Sequence, residues 1–141
     1  MPDSRAEKLA RLVRVQRQIE RMAENELSHT LRAQMATDAT QDALVDAIGS
    51  LDPVHAAMSH HYALRFQRLS AKAQQLSGVR ALQERRVLTE KTKADRLANQ
   101  AEQAAEDEER LASDEALLEM LEASIGASAA AQGQRKLHQP E

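Results

Sequence analysis

Apolar side chains recur along the first 48 residues at the three- and four-residue steps of an α-helix. They run Leu9, Leu12, Ile19 and Ala23, then Leu27, Leu31 and Met35, then Leu44 and Ile48, and no Gly or Pro interrupts them. The early steps suit a heptad. The Leu27–Leu31–Met35 row steps by four, which makes the stripe drift as an eleven-residue repeat does and predicts a local loss of left-handed supercoil. Ser4 followed by Glu7 has the spacing of a capping box, and Asp3 adds negative charge at the positive end of the helix dipole. The pattern predicts a first helix over 4–48.

The run Gly49-Ser50-Leu51-Asp52-Pro53 is a turn signal. Gly49 suits the left-handed position after a helix, Asp52 suits a cap, and Pro53 suits the first position of a second helix. A connection this short makes the two helices antiparallel neighbours. The second pattern runs from 53 to 125 through Met58, Tyr62, Leu69, Ala73, Leu76, Val87, Ala94, Leu97, Ala104, Leu111, Leu118 and Ile125. Polar residues interrupt it at Arg65, Arg80, Gln83, Glu90, Glu108 and Glu115. Gly78 costs roughly 1 kcal/mol in a helix interior and is a candidate bend.

The first helix is short enough that it should cover the second only to about residue 98. What remains is an overhang with an apolar face of Leu111, Leu117, Leu118, Leu121 and Ile125. A lone helix is marginal in water, so this face is expected to find a partner. Residues 126–141 are rich in Ala, Ser, Gln and Gly and read as a disordered tail. The expected architecture is all-α: a long antiparallel two-helix coiled-coil hairpin over 1–125 with an overhanging second helix.

Composition supports this reading over a compact globule. The chain has no Trp or Cys, one Tyr and one Phe, and much of its apolar share is Ala, so each residue buries little. Strand-forming residues are too sparse for a sheet. The absence of cysteine excludes a disulfide scaffold and thiolate metal sites and fits a reducing compartment. The N-terminal residues lack the apolar run of a signal peptide. No stretch approaches the ~20 apolar residues of a spanning helix, so direct membrane insertion is not expected. The expected location is cytoplasmic.

Charge changes the picture more, because it is arranged in blocks. Residues 5–21 hold six cations against Glu7 and Glu20, a net of +4. Residues 80–96 hold six cations against three acids, a net of +3. An antiparallel turn lays the two blocks side by side as a basic collar, of which Arg11, Arg14, Arg17, Arg21, Arg85 and Arg86 are the core. Residues 102–122 hold nine acids against Arg110, a net of −8. Nucleic acid is a poor partner for the collar. Cations spaced by three wind around a helix, and no aromatics interleave them. Salt-sensitive docking of a protein partner fits better.

Nothing points to catalysis. No Gly-rich phosphate loop and no nucleophile–base pair occurs, so the chain is not expected to be an enzyme or to need a cofactor. His60 and His61 are adjacent and so point about 100° apart on a helix, and His55 adds no ligand set; no metal site is expected. Tyr62 and Phe66 sit four residues apart and continue through Leu69 and Ala73. The four residues pack either in the seam between the helices or as an exposed stripe for a partner.

Leu82-Gln83-Glu84-Arg85 and the segment from Glu90 through Asp95-Arg96-Leu97-Ala98 are similar to the second-helix signature of the FliJ family of flagellar export proteins. So is the layout of two antiparallel helices with a longer second one and a basic collar. Thr92 stands where the family pattern has Lys, with Lys91 and Lys93 beside it, and the chain continues about forty residues past that segment. The resemblance implies a non-catalytic accessory of flagellar or type III export, a stalk or chaperone escort. Its partners would be a hexameric export ATPase, a membrane export-gate protein and export chaperones, met at the cytoplasmic face of the flagellar base. It also implies that Tyr62, Phe66, Leu69 and Ala73 form the gate-binding stripe. The alternative is a structural coiled-coil scaffold, a homodimer joined through the overhang residues Leu111, Leu118, Leu121 and Ile125.

Overall fold

The computed structural model describes residues 2–137, and almost all of them lie in two helices: α1, Arg5–Ile48, and α2, Pro53–Leu137. No strand occurs among the described residues, and the architecture is an all-α helical hairpin.

Both helices begin as their sequences dictate. Ser4 Oγ accepts the Glu7 amide at 3.2 Å, and the Ser4 carbonyl accepts the Lys8 amide at 3.0 Å. Asp52 Oδ1 accepts the Val54 amide at 2.9 Å, with Pro53 at the first helical position, where its missing N–H costs nothing. The turn differs from expectation at Gly49, because no described residue has a positive φ. Gly49 N donates to Val45 O at 3.1 Å and Ser50 N to Ala47 O at 3.2 Å. A tightened final turn thus satisfies the α1 carbonyls without a left-handed residue.

The far end of α2 departs from expectation too. The helix continues through Ile125 to Leu137, so residues 126–137 are helical and not a disordered segment; residues 138–141 lie outside the described residues. Ala127, Ala129, Ala130 and Ala131 have the highest helix propensity of any residue type, which offsets Gly126 and Gly133. α2 also passes through Gly78 without a break.

The chain divides into two compact units. In the unit Leu12–Arg96, α1 and α2 run antiparallel in a register marked by the contacts Arg86–Glu26 and Gln41–Ser70 at 2.9 and 3.1 Å. Positions facing the partner follow an unbroken heptad on α1: Gln16, Glu20, Ala23, Leu27, Thr30, Gln34, Thr37, Gln41 and Leu44 are all buried or half-buried. The predicted drift at Leu27–Leu31–Met35 does not occur, and Met35 is 71% exposed. α2 keeps the same strict repeat over Tyr62, Phe66, Leu69, Ala73 and Leu76, and a drifting α1 would leave that row uncovered. Thr30 and Thr37 can fill the gap because each hydroxyl bonds the carbonyl four residues back, at 3.3 and 2.8 Å. The core is thin. Its buried apolar residues are Ala23, Leu44 and Ala94, and no large side chain is fully buried.

In the unit Met1–Arg11 with Leu97–Glu141, the start of α1 lies on α2 with Ala104 buried between them. The Ala6 amide donates to Glu108 Oε1 at 3.1 Å. Cover therefore reaches Glu108, about ten residues farther than expected. From residue 109 to residue 135 every side chain is exposed. Counting cover from the turn fails because α2 does not begin opposite the end of α1. Extending the Gln41–Ser70 register at equal rise per residue puts Ile48 level with about residue 63, so the first turns of α2 stand beyond it.

Candidate interaction surfaces

The functional candidates are surfaces and a polar layer rather than a pocket. Among the described residues no group of three or more His, Cys, Asp or Glu is placed to hold a metal, and no helix is long and apolar enough to cross a membrane.

Tyr62, Phe66, Leu69 and Ala73 lie together on the α2 face turned to α1, each half-buried. They are seam residues, and a partner would meet only their outer edges. Tyr62 Oη lies 2.9 Å from His55 Nδ1, so His55 is a half-buried partner of the seam, whereas His60 and His61 are exposed with ring centroids 6.3 Å apart. The exposed apolar residues near the turn are instead Val45, Ile48, Leu51, Val54, Met58 and Leu64.

The basic collar is partly neutralised. Arg11 pairs with Asp3, Arg17 bridges Glu20 and Asp95 at 2.9 and 3.0 Å, and Arg86 pairs with Glu26 at 2.9 Å. The bonds from Glu20 and Asp95 hold the Arg17 guanidinium more firmly protonated than usual. Arg14, Arg21 and Arg85 make no ion pair among the described residues and are exposed.

Beneath the collar lies a polar layer that the sequence pattern marks only as an interruption. Gln16, Glu20, Gln83 and Glu90 take partner-facing positions that a stable coiled coil fills with apolar side chains. The Gln16 side-chain amide donates to the main-chain carbonyl of Glu90 at 3.2 Å and to its carboxylate. That bond, and the nearby Lys93 charge, hold the Glu90 carboxyl below the usual glutamate range despite its partial desolvation. Gln83 Oε1 is buried without a protein partner.

Sequence reasoning missed one surface. On α1, Leu12, Val15, Ile19 and Met22 form a second stripe at three- and four-residue steps, offset from the seam. Leu12, Val15 and Met22 are 52, 58 and 53% exposed. Its signal was present as a second heptad phase, masked because Leu12 and Ile19 were assigned to the seam. The overhang is apolar and uncovered as expected: Leu111, Leu118, Leu121 and Ile125 are 57 to 68% exposed, with Leu117 and Met120 beside them.

Comparison of the chain with protein-family models, with curated proteins and with solved structures finds no match in any of the three.

Proposed function

We propose that this chain is a non-catalytic accessory of flagellar or type III protein export, a stalk or chaperone escort linking a hexameric export ATPase to the export gate. The observation that carries an interaction role is the uncovered 109–135 helix, which holds six large apolar side chains at 57 to 69% exposure. Apolar surface of this extent on a helix with no cover among the described residues supports a contact with another macromolecule. The export assignment itself rests on the second-helix resemblance from Leu82 to Ala98, on the helical-hairpin architecture and on the exposed cations Arg14, Arg21 and Arg85.

The test is reconstitution. Purified chain mixed with a purified hexameric export ATPase should co-elute with the ring at low salt and leave it as salt rises. A chain that never co-elutes with the ring, at any ionic strength, removes the export reading. The scaffold reading is favoured by the same exposed leucines and predicts a tight homodimer whose sedimentation does not change on dilution.

A further inference from the structure

The missed stripe on α1 does not stand alone. Ala33, Ala36 and Thr40 of α1 share an open groove of about 260 Å³ with Arg65 and Lys72 of α2, which fixes one side of the hairpin in the unit Leu12–Arg96. Stepping back by sevens keeps the same side of each helix. On α1 the steps lead from Ala33 and Ala36 to Ile19, Met22, Leu12 and Val15. On α2 they lead from Lys72 to Val79, Arg86 and Lys93, and the contact of Arg86 with Glu26 at 2.9 Å confirms the pairing. Over the stripe itself this side presents an apolar strip from α1 beside Lys93 of α2, which pairs with Glu90 at 3.5 Å, and Arg86, paired with Glu26, lies beyond the end of the stripe.

Such a surface fits an amphipathic helix whose leucines are edged by carboxylates, and the chain carries one. Leu111, Leu118 and Ile125 repeat every seven residues with Leu121 alongside, and Glu115, Glu119 and Glu122 flank them. All four apolar residues are exposed. Pairing two overhangs with each other would set like charge against like, since residues 109–125 hold Glu109, Asp114, Glu115, Glu119 and Glu122 against Arg110, a net of −4. Laying the overhang on the stripe of a second copy covers both apolar surfaces and sets its carboxylates beside Lys93 instead of beside one another.

We infer that two copies of this chain associate reciprocally, the 111–125 segment of each seated on the Leu12–Val15–Ile19–Met22 stripe of the other. The contact is reversible and salt-sensitive, and it hides in the free protein the surfaces that another partner would use. It does not depend on the export reading: the ring-binding assay can fail while this contact holds, and the reverse.

The test uses the full chain in sedimentation equilibrium. The wild type should show a concentration-dependent dimer that weakens as salt rises. Val15→Glu and Leu118→Glu, both at exposed positions and checked for unchanged helicity, should each raise the dimer Kd by about tenfold or more. Because the chain has no cysteine, a photo-crosslinker placed through Leu118→Cys reports a single site. In a mixture of isotope-labelled and unlabelled copies it should label residues 12–22 of the other copy. A monomer at every concentration overturns the inference. So does a dimer unaffected by Val15→Glu, or crosslinks confined to 111–125 of the second copy, either of which denotes overhang against overhang.

Discussion

Gln16 of α1 holds Glu90 of α2 twice, its side-chain amide donating to both the main-chain carbonyl and the carboxylate. The pair sits where a coiled coil normally places Leu or Val. Replacing such positions with polar residues lowers stability but specifies which residues face each other. On the α1 side the seam is built largely of Ala, Thr and Gln, so apolar shape alone discriminates poorly between registers one heptad apart, and a two-pronged contact of this kind adds to the distinction.

The Glu90 carboxyl is held below its ordinary value, first by the Gln16 bond and then by the Lys93 charge. The fold therefore favours the carboxylate. Its contribution is complete above the unfolded glutamate pKa of about 4.3 and is lost as the pH falls through the lower folded value. A carboxyl-resolved NMR titration should place the Glu90 midpoint below the ordinary glutamate value of about 4.3. Gln16→Ala should move it upward, and a midpoint that stays put in that variant would assign the shift to Lys93.

Gln83 is the weak point of the same seam, with its buried Oε1 unpaired. Leaving such an atom unsatisfied costs about 1–3 kcal/mol. Gln83→Leu should raise the urea midpoint by a gain of about 1–2 kcal/mol, since leucine suits a partner-facing position. Equal or lower stability would mean that the amide is solvated in solution.

Gly78 lies on the exposed side of α2, and a Cβ built there meets nothing within 4 Å. With no turn or close approach to serve, it only lowers helix propensity. Gly78→Ala should stabilise the chain by about 1 kcal/mol, seen as a higher thermal midpoint by circular dichroism. A destabilised variant would show that the glycine is needed for a bend in solution.

Much of this molecule could be read from residue order. The capping residues Ser4 and Asp52 marked the helix starts, because a side-chain acceptor beside free amides is a local matter. The Tyr62-to-Ala104 stripe likewise fell on the face of α2 that meets α1. The choice between two competing stripes on α1 was not legible. Leu12, Ile19 and Met35 are as apolar as Leu9, Ala23 and Leu27, yet Leu12 and Met35 face outward. Gly49 and Ala127–Ala131 were misread because turn and tail statistics describe averages, whereas a tightened last turn and a run of alanines sufficed here.

Residue order alone sets where each helix starts, where the chain turns and how basic charge is separated from acidic. Each follows from hydrogen bonds and propensities that act within a few residues. Packing of one helix on the other settles which face of α1 meets α2, how far cover extends and which apolar residues are left in water. Those depend on the register of one helix against another. Register is a collective property: every pair must fit at once, so Thr30, Thr37 and Gln16 are drawn inside while Leu12, Val15 and Met22 stay out.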